Sequence, residues 1–117
     1  MAVRFGQPSR RLGDATVRNG VEIAALEGSS VRAIHSGTVS FADPFTGFGN
    51  LVIIDHGADA YSLYGYLGAM SVTRGDPVDS GTEIARVGAA PSGPAALYLE
   101  IRIDGRSVDP VEWLRPR

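Results

Sequence analysis

The stretch Ala96-Leu97-Tyr98-Leu99-Glu100-Ile101-Arg102-Ile103 alternates between large aliphatic residues and residues of other kinds. A period of two is the pattern of a β-strand, whose successive side chains point to opposite faces of a sheet. We expect one face to point into the core, with Leu97, Leu99, Ile101 and Ile103. We expect the other face to line a surface, with Ala96, Tyr98, Glu100 and Arg102. A phenol, a carboxylate and a guanidinium in line make that second face the expected place of function.

Short segments with strand character recur along the rest of the chain, at residues 21–24, 31–34, 38–41, 50–55, 61–67 and 83–87. The 50–55 segment is continuously apolar, which predicts a central strand covered on both faces. Segments 43–49 and 57–59 are predicted to be a loop and a hairpin turn, and 108–114 a helical turn that docks Trp113. Fifteen glycines and seven prolines supply the turns between strands. This pattern predicts an all-β protein, a sandwich or half-open barrel of antiparallel sheets with little helix.

Composition narrows the possible functions. A chain of 117 residues is one domain, which buries about two-thirds of its surface on folding. The net charge of −2 gives no attraction to nucleic acid or anionic membranes, and no apolar run is long enough to span a bilayer. Cysteine is absent, which excludes disulfides and thiolate metal sites. All eleven basic residues are arginine, so neither a phosphate-binding loop nor a lysine that carries a cofactor is available.

The end of the chain shows a family resemblance. The run Leu97–Arg102, followed by Asp104–Pro110 and Trp113-Leu114, resembles the end of a lysostaphin-type (LytM) peptidase domain. Members of that family use a bound zinc to cut the peptide cross-links of bacterial peptidoglycan. The resemblance extends from Arg4-Phe5-Gly6 to Trp113-Leu114, and it implies one LytM-like domain over residues 1–117.

The positions that hold the metal and the catalytic histidines in that family carry other residues here. The family's His-x-His matches Ala96 and Tyr98, and its His-x-x-x-Asp matches Arg18 and Glu22. The histidine of the middle strand matches Tyr66. The resemblance therefore implies a degenerate peptidase domain with no catalytic residues, no bound metal and no other cofactor. A residual zinc metalloendopeptidase with unusual ligands remains the alternative.

Two histidines lie elsewhere in the sequence. His35 stands beside Ser36-Gly37, and we expect it to be a solvated turn residue. His56 ends the apolar 50–55 segment, and we expect it to make a structural hydrogen bond.

A partner-binding groove is predicted where the zinc cleft would lie. Tyrosine and arginine dominate binding hot spots because they combine large contact area with a directional polar group. Alternation in the 61–67 segment places Tyr64 and Tyr66 together, opposite Leu63 and Leu67. A simpler interpretation is that these tyrosines only cover a sheet, since aromatic residues suit strands. The predicted groove residues are Arg18, Asn19, Glu22, Phe48, Tyr64, Tyr66, Tyr98, Glu100 and Arg102.

Two of these motifs, Leu-Tyr-Gly-Tyr at 63–66 and Leu-Tyr-Leu-Glu-Ile-Arg at 97–102, resemble the EnvC-type murein hydrolase activators. The resemblance implies a groove that binds the regulatory helix of a zinc-dependent N-acetylmuramoyl-L-alanine amidase and releases the amidase's active site during cell division. Glu22 and Phe48 depart from that pattern, since the activators commonly have an apolar residue and a tyrosine there.

The resemblance also implies a place of action. Such a domain is expected in the periplasm or otherwise outside the cytoplasm, as the C-terminal part of a longer secreted protein. Neither nucleic acid nor membrane insertion is expected. Peptidoglycan itself is a possible ligand, and a peptidoglycan-binding module without an activator role is the other alternative.

Overall fold

The computed structural model describes residues 20–90 and 93–104, together with the backbone of 106–108. These residues form nine strands and no helix, and therefore no helix that could cross a membrane. The strands are β1 (Val21–Ala24), β2 (Ser30–Arg32), β3 (Gly37–Phe45), β4 (Gly49–Gly57), β5 (Ala60–Met70), β6 (Pro77–Val78), β7 (Glu83–Val87), β8 (Ala96–Ile103) and β9 (Arg106–Val108). The predicted all-β class is confirmed. Except for the backbone of residue 108, the predicted helical turn at 108–114 lies outside the described residues.

All strand pairs are antiparallel, and the main path of the sheet is β1-β8-β5-β4-β3-β6. β7 pairs with β5 and β2, and β9 pairs with β8. The sheet does not close on itself along this path. The stretch Ala96–Ile103, which forms β8, therefore lies inside the sheet, with β5 on one side and β1 and β9 on the other.

The loop predicted between the third and fourth strands is much shorter than expected. β3 continues to Phe45 and β4 begins at Gly49, so only three residues form the connection. Pro44 lies within β3, which is possible because the outer edge of β3 is paired only at Gly37 and Thr38. The prediction of a loop over 43–49 is wrong, because proline and glycine mark an edge strand and a tight turn here.

The hairpin predicted at 57–59 is confirmed. Ala58 and Asp59 both adopt positive φ angles, 53° and 60°, as a two-residue type I′ turn requires. A second turn follows β8, where Asp104 has a φ of 53° and its N–H donates to the Asp59 carbonyl at 2.9 Å. The two turns therefore lie side by side at one end of the sheet.

The main core is aliphatic and lies on one face of the sheet, where Leu99 of β8 packs with Val52 and Ile54 of β4. The prediction that Leu99 and Ile101 point inward is confirmed, since both are buried. Leu97 and Ile103 are only partly buried. The opposite face of the same strands carries the candidate site.

Candidate functional site

Three rows of paired residues cross the face of the sheet opposite the main core. Residues directly opposite each other on antiparallel strands point to the same face, so each row forms one line of side chains. The first row is Glu22, Tyr98 and Gly65. The second is Glu100, Leu63, Ile53 and Phe41, and the third is Arg102, Tyr61, Asp55 and Thr38. Successive rows lie about 7 Å apart along β8.

Tyr66 reaches this face through an irregularity in β5. Regular pairing ends at Gly65, and Tyr66 has a positive φ of 63°. Its N–H donates to the Phe48 carbonyl at 2.7 Å, and its carbonyl accepts from Gly88 N–H at 2.9 Å. These two hydrogen bonds hold a conformation that costs energy for a residue with a bulky side chain.

Tyr64 lies on the opposite face. It pairs with Leu99, so its ring belongs to the main core and is fully buried. The expectation that Tyr64 and Tyr66 share one face is wrong, because the left-handed residue breaks the alternation between them. Tyr64 therefore does not line the groove.

The face of β8 that was predicted to line a surface, with Ala96, Tyr98, Glu100 and Arg102, is mostly buried. Tyr98 is 1% exposed and the side chain of Glu100 is 4% exposed. The Tyr98 hydroxyl donates to Glu100 Oε1 at 2.7 Å, and Arg102 Nε donates to Glu100 Oε2 at 2.5 Å. Such donors compensate a buried carboxylate for the hydrogen bonds to water that it has lost. On this face of β8 only Arg102 is open to solvent, with 46% of its side chain exposed.

Tyr66 and Glu22 form a second phenol–carboxylate pair. The Tyr66 hydroxyl donates to Glu22 Oε2 at 2.8 Å, which joins β5 to β1 across β8. The rings of Tyr66 and Tyr98 lie 5.8 Å apart between centroids. The two tyrosines thus stand together, each with its hydroxyl bound to a different carboxylate.

Phe48 completes an aromatic cluster that we define as Phe48, Tyr66 and Tyr98. Its ring centroid lies 5.0 Å from that of Tyr98 and 6.0 Å from that of Phe45. Gly65 makes room beneath it, since a Cβ at that position would lie 3.3 Å from the Phe48 ring. Phe45 is 52% exposed, so it continues the cluster outward into solvent.

Beside the aromatic cluster the sheet face carries a groove made of two adjoining depressions. The inner depression, about 290 Å³, is lined by Phe41, Phe45, Phe48, Leu51, Ile53, Leu63, Glu100 and Arg102. The outer depression, about 610 Å³, is lined by Ser40, Ile53, Asp59, Tyr61, Leu63, Arg102 and Asp104. Three residues, Ile53, Leu63 and Arg102, line both. The groove therefore runs along β5 and β8 from an aromatic end to an acidic end.

Six of the nine predicted groove residues come together at this face, namely Glu22, Phe48, Tyr66, Tyr98, Glu100 and Arg102. Arg18 and Asn19 lie outside the described residues. Sequence reasoning missed the contribution of β3 and of both turns, which provide Phe41, Phe45, Asp59 and Asp104. The two phenylalanines stand four residues apart in the sequence, a spacing that places both on one face of a regular strand.

A chain of hydrogen bonds holds Tyr64 on the core side. Its hydroxyl accepts from Ile34 N–H at 3.1 Å and is hydrogen-bonded to Ser62 Oγ at 2.7 Å. His56 continues the chain, with Nε2 2.7 Å from Ser62 Oγ and Nδ1 2.7 Å from the Ser36 carbonyl. The predicted structural role of His56 is confirmed. Burial raises the pKa of the Tyr64 phenol above its ordinary value, although these hydrogen bonds oppose the shift.

His35 is exposed, as predicted, and its ring lies 5.7 Å from that of His56. Among residues 20–90 and 93–104, no group of three histidine, aspartate or glutamate side chains is arranged to hold a metal ion. In the same residues, no buried side-chain nitrogen or oxygen lacks a hydrogen-bond partner. Within that part of the chain the site consists of satisfied polar pairs and aromatic rings.

Comparison with known proteins identifies what the chain resembles. The family model described as "Peptidase family M23" matches residues 16–110. The murein hydrolase activator EnvC of Escherichia coli is 43% identical over 96 residues, which is 81% of this chain and 23% of EnvC. The murein hydrolase activator NlpD of the same species is 35% identical over 99 residues, 84% of this chain and 26% of NlpD. The chain thus spans about a quarter of the length of each of these relatives.

The fold also matches solved structures. The catalytic domain of the antimicrobial peptidase lysostaphin from Staphylococcus simulans superposes with a TM-score of 0.84. The match covers 97% of this chain and 90% of that domain, at 23% sequence identity. At this identity the likeness establishes the fold and leaves the chemistry to the side chains.

Proposed function

The chain belongs to peptidase family M23, and from this membership we propose that it is a non-catalytic member that activates a cell-wall N-acetylmuramoyl-L-alanine amidase. The groove would bind the regulatory helix of the amidase and draw that helix off the amidase's active site, promoting peptidoglycan hydrolysis during cell division. The names of EnvC and NlpD state that they activate murein hydrolases, which supports the same role here.

The environment of Tyr98 is the observation that carries this proposal. A catalytic zinc needs about three protein ligands and one open position. Tyr98 stands where the family resemblance places a histidine, and its hydroxyl is already bound to Glu100. Its ring packs against Phe48 and Tyr66, with centroids 5.0 and 5.8 Å away. This arrangement favours contact over metal chemistry.

A docking helix would meet the exposed margin of the site rather than the buried tyrosines. Phe45 and Phe48 offer an apolar surface at the inner depression, and Arg102 offers a guanidinium beside it. An amphipathic helix with an apolar stripe matches the first two, and an acidic side chain on that helix matches the third. Tyr66 and Tyr98 support this surface from below and are not themselves the main contacts.

The energy required is within reach of so small a surface. Moving an inhibited amidase from almost fully closed to almost fully open takes roughly 5.5 kcal/mol of differential affinity. Two or three hot-spot side chains contribute about 2 kcal/mol each. Phe45, Phe48 and Arg102 supply that number of anchors.

Amidase stimulation tests the proposal. Phe48→Ala and Arg102→Ala should each lower the stimulation of peptidoglycan release by a cognate amidase at least tenfold. Arg86→Ala is the matched control, since Arg86 is a strand arginine with 56% of its side chain exposed and an ion pair to Glu83 at 3.6 Å. Full stimulation by both groove variants would refute the proposal.

Metal binding and wall binding are measured in parallel. Zinc titration by calorimetry should give no binding heat at micromolar protein, and stoichiometric uptake would favour a surviving metalloendopeptidase. Co-sedimentation with purified peptidoglycan, with no amidase stimulation, would indicate a wall-binding module instead.

The proposal includes a place of action. Murein lies outside the cytoplasm, so a domain that activates its hydrolysis would work in the periplasm. We propose that residues 1–117 form one LytM-like domain of a longer secreted protein.

A further inference from the structure

The outer end of the groove carries two carboxylates that the proposed function does not use. Asp59 and Asp104 line the outer depression from the two adjacent turns. Both are solvent-exposed, and the hydrogen bond from Asp104 N–H to the Asp59 carbonyl holds their backbones together. We call this pair the acidic mouth.

Among the described residues that line the groove, the charge of the acidic mouth is not balanced. Arg102 is the cation that lines the outer depression, and its Nε is already paired with Glu100. With that ion pair counted as neutral, two negative charges remain at the acidic mouth. A ligand that fills the outer depression is therefore favoured if it brings a positive charge.

The distance between the two ends defines where that charge should be. Phe48, which lines the inner depression, packs on Tyr98 with ring centroids 5.0 Å apart, so Tyr98 marks the aromatic end along β8. Six residues of extended chain separate Tyr98 from Asp104, which corresponds to about 20 Å. A helix of about 13 residues covers this distance. Side chains eleven residues apart lie on the same helix face, three turns and about 16 Å from each other. The length of a lysine or arginine side chain covers the remaining distance to the acidic mouth.

From this geometry we infer that the acidic mouth selects a partner helix carrying a basic residue about three turns from the apolar residues that occupy the inner depression. The inference rests on the proposed function, because it assumes a helix in the groove. Continuity of the two depressions through Ile53, Leu63 and Arg102 supports a single elongated occupant. The acidic mouth then determines partner specificity, while the aromatic end provides most of the contact.

Paired synthetic helices test the inference. Each peptide is a 20-residue alanine-based helix with two leucines near one end and, eleven residues away, either lysine or glutamate. At low salt the protein should bind the lysine peptide at least about fivefold more tightly than the glutamate peptide. This difference in affinity should shrink as the salt concentration is raised. Asp59→Asn/Asp104→Asn should abolish that preference, and asparagine tolerates the positive φ angles of both positions.

Two further variants make the outcomes distinguishable. Glu27→Gln/Asp79→Asn changes the net charge by the same amount at exposed residues away from both depressions, and it should keep the full preference. Phe48→Ala should weaken binding of both peptides equally.

Each alternative outcome is decisive. If the preference survives in Asp59→Asn/Asp104→Asn while Phe48→Ala still weakens binding, the inference is wrong and the proposed groove stands. If Phe48→Ala changes nothing, or the protein binds neither peptide, both fail. Displacement of the lysine peptide by soluble peptidoglycan fragments at lower concentrations than the peptide itself would overturn the inference in favour of a wall-binding groove.

Discussion

Removing one hydroxyl group from the aromatic cluster should destabilise the whole domain. Tyr98→Phe deletes the donor that lies 2.7 Å from Glu100 Oε1 and leaves a carboxylate with a side chain only 4% exposed. Hydrogen bonds to charged groups contribute about 1.5–3 kcal/mol, and water has little access to replace this one. The total stability expected for a chain of this length is roughly 6–17 kcal/mol, so the loss is a substantial fraction.

Urea unfolding followed by far-UV circular dichroism measures this effect. A loss of about 2 kcal/mol lowers the midpoint by roughly 1 M urea at the usual dependence on denaturant. Tyr61→Phe is the matched control, because Tyr61 lies on the same face and its hydroxyl makes no hydrogen bond with the described residues. That variant should stay within about 0.5 kcal/mol of the parent.

A double-mutant cycle with Glu100→Gln isolates the interaction itself. If the hydroxyl stabilises the fold through the carboxylate, Tyr98→Phe should cost much less in the Glu100→Gln background, with a coupling of about 0.5–3 kcal/mol. Additive effects within about 0.3 kcal/mol would refute the reasoning. The role of Tyr98 would then be packing alone.

Three further predictions follow from single contacts. Gly65→Ala places a methyl group 3.3 Å from the Tyr98 Cβ, so near-UV circular dichroism should change while the far-UV spectrum is retained, and an unchanged near-UV spectrum would contradict this. Because the pKa of Tyr64 is raised above 10 in the folded protein, its contribution to stability is complete below pH 10 and is lost as the pH rises above that value. In urea titrations above pH 10, the stability of Tyr64→Phe should therefore fall less steeply with pH than that of the parent. An equal fall in both proteins would contradict this prediction. Tyr66→His/Tyr98→His places two imidazoles beside Glu22, and two histidines with one carboxylate are a ligand set that zinc accepts. Calorimetry should show tighter zinc binding by this variant than by the parent. Equal binding would mean that the side chains at positions 22, 66 and 98 do not converge.

The strands that could be predicted are those in which one pattern dominates. Residues 21–24, 83–87 and 96–103 were predicted as strands with the bounds that the structure has. In 96–103 large aliphatic residues recur with a period of two, because each side chain is committed to one face of the sheet. The all-β class followed from the number of such segments and from the turn residues between them.

The arrangement of the site could be predicted only in part. Alternation assigns residues to faces as long as the strand is regular, and the left-handed conformation at Tyr66 reverses the assignment of Tyr64. Tyrosine is not a residue that signals a positive φ, so the sequence gives no warning. Alternation also does not tell whether a polar face is covered, and Tyr98 and Glu100 proved to be buried.

The left-handed conformation at Tyr66 also bears on how such a site could change its function. Histidine is among the residues enriched at positive φ, so the backbone at this position suits the histidine that the family resemblance places there. A tyrosine at this position bears more strain, which must be offset by what its side chain gains. Burial of an aromatic ring of 150–250 Å² contributes up to about 4–6 kcal/mol, against about 1–3 kcal/mol for the strained backbone. The Tyr66 hydroxyl adds its bond to Glu22.

On the proposed function, the balance between backbone strain and side-chain burial at Tyr66 decides what kind of surface the groove offers. Packing and phenol–carboxylate pairs fix the aromatic cluster without a metal, so the surface that Phe45 and Phe48 present is formed before any partner arrives. Binding to a preformed surface avoids most of the ordering cost that otherwise reduces affinity. A domain held this way can use a small set of exposed anchors to displace a regulatory helix. On that proposal, the buried pairs that hold Tyr66 and Tyr98 in place also keep the groove ready for its partner.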